Sequence, residues 1–286
     1  LAENHADRVV SRQQLSEEER QAARQLAIVC NAFEGLELKL NLDWPEPVEG
    51  DEANSFLYYE GQALVGYCGM DYGELCGMVL PDHRRKGIGS ALYGAVLAEC
   101  RRRGKTDLII ICEQASRSGK GFMARTGAEY TFAEHHMELD VVPDGREPPS
   151  PEKRLEVSEA GEDDIEAIAL LHHGSVDEKA RERVAYEMGS PGQYFLIGRL
   201  NGAPVTTLRI VDLGGKVGIY GFVVALELRG QGYGKEMLAE TIRRLTADGQ
   251  TRIALEVETN NTVAVGLYKA LGFKTTTTYE YYSKKI

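Results

Sequence analysis

The sequence is poor in the residues that staple, span or coat. Five cysteines occur in 286 residues, at 30, 68, 76, 100 and 112, with no Cys-x-x-Cys pair. An odd count without close spacing argues against a disulfide framework or a zinc ribbon, and no metal is expected. No stretch approaches the roughly 18 apolar residues that cross a bilayer, and the polar N-terminus lacks the apolar core of a secretory leader. Basic charge is in deficit, with 33 Lys and Arg against 44 Asp and Glu and a net charge of −11. Such a surface is ill suited to phosphate backbones, so the expectation is a cytoplasmic protein with neither a nucleic-acid nor a membrane partner. The single tryptophan, Trp44, lies beside an acidic group of Glu46, Glu49, Asp51 and Glu52. That group can attract a cation or simply aid solubility.

Proline is scarce too, and its distribution is informative. Of nine prolines, four (143, 148, 149 and 151) fall in a segment without apolar periodicity. Proline removes donors and stiffens the chain, so residues 143–153 are expected to link a first domain, 1–142, to a second, 154–286. Charge divides unevenly across this boundary: residues 1–145 hold 15 basic and 24 acidic side chains, residues 146–286 hold 18 and 20.

Across the linker the chain repeats itself. An apolar strand end at Cys76–Leu80 leads through Pro81-Asp82-His83 into Arg84-Arg85-Lys86-Gly87-Ile88-Gly89. The second half runs from Gly221–Ala225 through Leu226-Glu227-Leu228 into Arg229-Gly230-Gln231-Gly232-Tyr233-Gly234. The arginines Arg84 and Arg229 are 145 residues apart, as are both glycine pairs, and Leu108–Ile111 matches Ile253–Val257 in the same register. So long a period means two copies of one domain. Periodicity predicts, in the second half, a strand at 154–159, helices at 163–172 and 177–188, and strands at 194–200, 203–211 and 216–224. A helix at 233–247, a strand at 252–258, a helix at 262–270 and a closing strand at 273–283 follow. The first half repeats the pattern from a helix at 16–33 to a strand at 128–139, with a glycine-weakened helix near 118–125. The fold class is a mixed α/β sheet, not a doubly wound one.

A strand that runs through Arg-x-x-Gly-x-Gly into a helix presents free backbone N–H groups at a positive helix end, which suits a pyrophosphate. Glycine lets the phosphate approach and adopts the turn's unusual dihedrals. Neither loop has the Gly-x-Gly-x-x-Gly spacing of dinucleotide folds or the Gly-Lys-Ser/Thr of a Walker A loop.

This motif, with Leu255-Glu256-Val257 and Asn261-x-x-Ala264-x-x-Leu267-Tyr268-x-x-x-Gly272-Phe273, resembles the GNAT superfamily of N-acyltransferases. The tandem arrangement is similar to that of mycothiol synthases. The resemblance implies two GNAT domains and acetyl-CoA as co-substrate. Val223, Val224 and Ala225 would face its pantetheine arm, and Arg229, Gly230, Gln231, Gly232, Tyr233, Gly234 and Lys235 would wrap its pyrophosphate. Val79, Arg84, Arg85, Lys86, Gly87 and Gly89 are their counterparts in the first half. Tyr268 would protonate the departing thiolate, with Asn261 framing the same helix. Glu256, twelve residues earlier, resembles the base of ribosomal-protein alanine acetyltransferases, although many relatives carry their Glu on the preceding strand, where this chain has Gly218 and then Tyr220.

In the repeat register Tyr268 corresponds to Met123, Glu256 to Ile111, Asn261 to Ser116 and Ala264 to Gly119. Methionine cannot protonate a thiolate and isoleucine cannot accept a proton. The first domain is therefore expected to be degenerate and the second to carry turnover, by direct attack of a primary amine, small molecule or protein amino terminus, in a monomer or homodimer. A non-catalytic acyl-CoA sensor, a thiol-conjugate acetyltransferase and an antibiotic acetyltransferase remain alternatives. His135-His136 and His172-His173 are expected to have a structural or surface role rather than to bind metal, and Arg101-Arg102-Arg103 to be a solvated helix end.

Overall fold

The computed structural model describes residues 9–40, 42, 52–71, 73–141 and 154–286. The proline-rich linker 143–153, Trp44, Glu46, Glu49 and Asp51 lie outside the described residues. The elements in chain order are β1 (Val9–Arg12), α1 (Glu17–Glu34), β2 (Ser55–Glu60), β3 (Ala63–Asp71), β4 (Glu74–Val79), α2 (Ile88–Arg102), β5 (Asp107–Glu113), α3 (Arg117–Thr126) and β6 (Glu129–Asp140). They continue as β7 (Glu156–Glu159), α4 (Ile165–His173), α5 (Glu178–Gly189), β8 (Gln193–Leu200), β9 (Ala203–Asp212), β10 (Val217–Val224), α6 (Tyr233–Ala247), β11 (Arg252–Glu258), α7 (Thr262–Ala270) and β12 (Lys274–Lys285). The short strand β1 is the one element that periodicity did not announce, since four residues carry too little pattern.

These elements form two compact units: residues 1–134 with 277–286, and residues 135–276. The first unit has the strand order β1-β2-β3-β4-β5-β12, and the second β7-β8-β9-β10-β11-β6. In both, four antiparallel strands lead to a parallel step (β4 with β5, β10 with β11). The sixth place is exchanged. Strand β12, from the end of the second repeat, pairs antiparallel with β5 from Tyr279↔Glu113 to Lys285↔Asp107. The end of β6, from the first repeat, lies beside β11, where Val141 N–H donates to Thr251 O at 2.7 Å. The units therefore group residues differently from the sequence halves 1–142 and 154–286.

Local chemistry explains the helices. Ser16 and Glu19 form a reciprocal capping box at α1, which ends at Gly35 in the left-handed region. Helix α1 buries Ala23, Leu26 and Cys30 on one sheet face, and α2 buries Ile88, Leu92, Val96 and Cys100 on the other. In the second unit α6 supplies Met237, Leu238, Ile242 and Leu245 to the core, while α4 and α5 cover Phe195 and Ile197 on the opposite face. The glycine-weakened α3 forms nonetheless, with Ser116 accepting from Gly119 N–H at 3.0 Å. A Cβ at Gly119 would lie 2.7 Å from Cys112 Sγ, so the helix packs on β5 only because that position is glycine.

Candidate functional site

Both phosphate-type loops are built to one plan. Each opens with a short 3-10 turn, Pro81–His83 or Leu226–Leu228, and each helix is capped by a glycine with nearly identical dihedrals, Gly87 (φ 89°, ψ −9°) and Gly232 (φ 92°, ψ −8°). The first arginine folds back identically: Arg84 Nε donates to Val79 O, and Arg229 Nε to Val224 O, both at 3.0 Å. Gly230 has φ 74°, and its counterpart Arg85 holds φ 65° despite its side chain. The first-turn residues Gln231, Gly232 and Lys235 are exposed, as are Arg85, Lys86 and Gly87, and both helices leave their first N–H groups without intrahelical partners. Gly234 serves packing instead: a Cβ there would meet Phe222, Val224 and Leu267 at 3.3–3.6 Å, and at Gly89 it would meet Phe122 at 3.5 Å. Tyr233 is buried in the core beneath the guanidinium of Arg154, 4.2 Å from its ring centroid, so its side chain does not reach outward.

The parallel strands on either side of these loops part company. Strand β10 pairs with β11 only from Val217↔Ile253 to Ile219↔Leu255, and β4 with β5 only at Glu74↔Ile109 and Leu75↔Ile110. In the second unit the next residues beyond the last pair are Tyr220 and Glu256, which sit at the vertex of the cleft. Burial, and then the Glu256 charge, push the Tyr220 phenol up. The register of β10 against β9 is irregular between Tyr220 and Val223, at Gly221 with φ 57°. This bulge turns β10 away from β11. Strand β4 pairs with β3 continuously from Gly66↔Val79 to Asp71↔Glu74, without a bulge.

Tyr268 is buried on α7, in edge contact with Phe273 at 6.0 Å, and burial pushes its phenol up to about 12. It therefore keeps its proton at neutral pH. Asn261 caps α7, accepting from Ala264 N–H at 3.2 Å. That side-chain oxygen holds a helix end rather than a reacting group.

Behind Glu256 lies a row of charge. His136 Nδ1 is 3.6 Å from Glu256 Oε1, and His136 Nε2 is 3.3 Å from Glu138 Oε1. Glu138 in turn meets Lys216 Nζ and an Arg252 guanidinium nitrogen, each at 2.7 Å. Burial alone would raise the Glu138 carboxyl, but Lys216 and Arg252 hold it down at about 2. On the same sheet face, the one that α4 and α5 cover, His172 packs on the bulge, where a Gly221 Cβ would fall 2.6 Å from its Cε1. Its Nε2 is buried with no hydrogen-bond partner among the described residues, and burial, then His173 and Arg209, lower its pKa to about 4.

In the first unit the corresponding cleft is a cavity of about 510 Å³, lined by Leu36, Leu75, Met78, Ile110, Cys112 and Met123 together with loop residues Arg84, Arg85 and Gly87. Ile111 and Met123, the counterparts of Glu256 and Tyr268, are buried and apolar. Arg84 pairs with Glu34, whose carboxylate also accepts from Ser118 N–H at 3.2 Å. Burial alone would raise the Glu34 carboxyl, but Ser118 and Arg84 hold it below its ordinary value. Burial pushes the thiol of Cys68 up to about 12 and that of Cys112 to about 11, so neither is a ready nucleophile.

Comparison with known proteins accounts for this geometry. The model of the acetyltransferase (GNAT) family matches residues 18–128 and again 163–273. The chain belongs to the GNAT family. It is 30% identical over 244 residues to a mycothiol acetyltransferase of Catenulispora acidiphila, covering 75% of each chain. A GCN5-related N-acetyltransferase from Sphaerobacter thermophilus shares the fold with TM-score 0.78 at 19% identity, covering 98% of this chain and 96% of that one. A tandem GNAT protein from the clavulanic acid biosynthesis pathway does so with TM-score 0.74 at 17% identity, covering 97% and 98%. GNAT acetyltransferases use acetyl-CoA as co-substrate, and both GNAT units keep the glycine loop and splayed strands that such a ligand needs.

Three features of this GNAT pair were hidden from sequence reasoning. Arg154 donates to Gln231 O at 2.9 Å and so brings a cation to the second loop from 77 residues away. His136 reaches Glu256 because its strand crosses to the other repeat's unit. His172 meets Gly221 only through the packing of α4. None carries a local sequence signal, because each contact depends on pairing distant segments.

Proposed function

We propose that the protein transfers the acetyl group of acetyl-CoA to a primary amine, that turnover belongs to the second unit, and that the first unit holds an acyl-CoA without turning it over. The carrying observation is the contrast between the units: Glu256 and Tyr220 at the vertex of the cleft and Tyr268 on α7 in one, Ile111 and Met123 at the matching positions in the other. Bound acetyl-CoA supplies an activated acetyl thioester. The chain's residues do the rest: the loop N–H groups and the cations Arg229, Lys235 and Arg154 bind pyrophosphate. Val223, Val224 and Ala225 line the opened edge of β10. Glu256 takes the proton that the amine loses on attack, and Tyr268, protonated at neutral pH, gives one to the departing sulfur.

A thiol-bearing amine of the mycothiol type is the acceptor favoured by the mycothiol acetyltransferase relatives. The 510 Å³ cavity of the first unit supports its role as an acyl-CoA holder. Calorimetric titration of acetyl-CoA into the wild type, Gly232→Glu and Gly87→Glu separates the sites. Two binding events are expected, one lost with each variant. Free-CoA release is then measured with spermidine, glucosamine, an alanine-terminated peptide and a cysteinyl amino sugar, and is expected to survive Gly87→Glu but not Gly232→Glu. Release that survives Gly232→Glu would move turnover to the first unit.

A further inference from the structure

We infer that His136 is a positioning residue for Glu256, so that a strand from the first repeat completes the reacting centre of the second unit. The inference rests on the proposed role of Glu256. His136 and Glu138 are two residues apart on β6 and so share one face. The imidazole is buried, its Nδ1 side turned to the Glu256 carboxylate at 3.6 Å. Its Nε2 side meets Glu138 at 3.3 Å and Lys216 Nζ at 3.4 Å. The Glu138 end is itself anchored, by Lys216 on one oxygen and Arg252 on the other. The chain β6 backbone is held as well, Thr276 Oγ1 donating to His136 O at 3.3 Å.

This is an ordered series: two cations fix a carboxylate, that carboxylate and Lys216 fix the plane of a ring, and the ring faces a second carboxylate. The 3.6 Å gap exceeds an ordinary hydrogen bond, as is common before substrate tightens a site. Glu256 stands just beyond the last β10–β11 pair, while β11 keeps β6, the strand that carries His136, as its other neighbour. From that strand His136 orients the Glu256 carboxylate and keeps one oxygen turned to the acceptor amine.

The test compares His136→Ala, His136→Gln, Glu256→Gln and the double variant His136→Ala/Glu256→Gln, using acetyl-CoA and whichever amine of the panel above reacts fastest. His136→Ala is expected to lower kcat about tenfold, the scale of a lost orienting contact, with the KM for acetyl-CoA unchanged. His136→Gln, or imidazole added to His136→Ala, should restore part of the rate. The double variant should be no slower than Glu256→Gln alone. Should His136→Ala misfold, ¹⁵N-histidine NMR of wild type and Glu256→Gln still decides: the His136 ring resonances are expected to move. An unchanged kcat in His136→Ala, additive losses, or an unmoved ring overturns the inference while leaving Glu256 in place. Full activity of Glu256→Gln instead overturns the reading of Glu256 itself.

Discussion

Two side chains show how burial tunes chemistry at the residue scale. The Tyr268 phenol, raised to about 12 by burial, remains a proton donor across the working range. Tyr268→Phe is expected to lower kcat by about a hundredfold with little change in acetyl-CoA affinity. In the wild-type pH profile no basic limb from this group should appear below about pH 10, the ordinary phenol value, since burial raises it to about 12; a limb centred near pH 8 would point to another acid. His172 titrates the other way. Its folded pKa of about 4 lies below the ordinary 6.5, so as pH falls the unfolded chain takes the proton first. Native stability from this group is full above pH 6.5 and is lost between 6.5 and 4, at no more than about 1.4 kcal/mol per pH unit. Urea melts of wild type and His172→Gln at pH 7.5 and 5 check this. The difference between the two proteins should change over that interval, and an unchanged difference would show that His172 is not the sensitive group.

Strand and turn geometry decides what those residues can reach. The two glycine loops were legible to the residue as turns into helices, because a left-handed glycine before a helix is a local requirement written in local sequence. The bulge at Gly221 was not. The sequence shows a glycine there but not the extra residue against β9, which exists only once β9 and β10 are aligned. Gly221→Ala combines φ 57° with a contact 2.6 Å from His172, and is expected to cost about 2 kcal/mol of stability. It should also reduce turnover, since a straightened β10 would close the cleft at Tyr220. Chemical denaturation and the free-CoA assay read both effects; a variant as stable and as active as wild type would show that the bulge tolerates a side chain.

For the whole molecule, the decisive fact is the exchange of final strands. Unit 1 takes residues 277–286 from the far end of the chain. There Tyr279 and Tyr281 are buried, Phe132 stacks on Tyr281 at 4.4 Å, and Tyr281 donates to Glu134 at 2.6 Å. Deleting residues 277–286 strips β5 of its antiparallel partner. It is expected to lower the melting temperature of unit 1 by about 10 °C or more. Hydrogen exchange should show protection lost in β5 and kept in β10 and β11; loss confined to the second unit would contradict the assignment of this segment. For the same reason, fragments 1–142 and 154–286 expressed apart should each be poorly stable and recover on mixing.

The sequence by itself determined the duplication, nearly every element, the paired glycine loops and the replacement of Glu256 and Tyr268 by Ile111 and Met123 in the first repeat. All of these depend on residue identity and short-range backbone conformation. Only the tertiary structure decided which strand closes which sheet, that β10 bulges at Gly221, and that His136, Glu138, Lys216 and Arg252 line up behind Glu256. Those depend on pairing between segments up to 178 residues apart, from Tyr279 against Glu113 to Lys285 against Asp107. Closing a longer loop costs only slowly more entropy, so chain distance neither forbids nor announces such a pairing. The buried faces that strands present to one another make the choice.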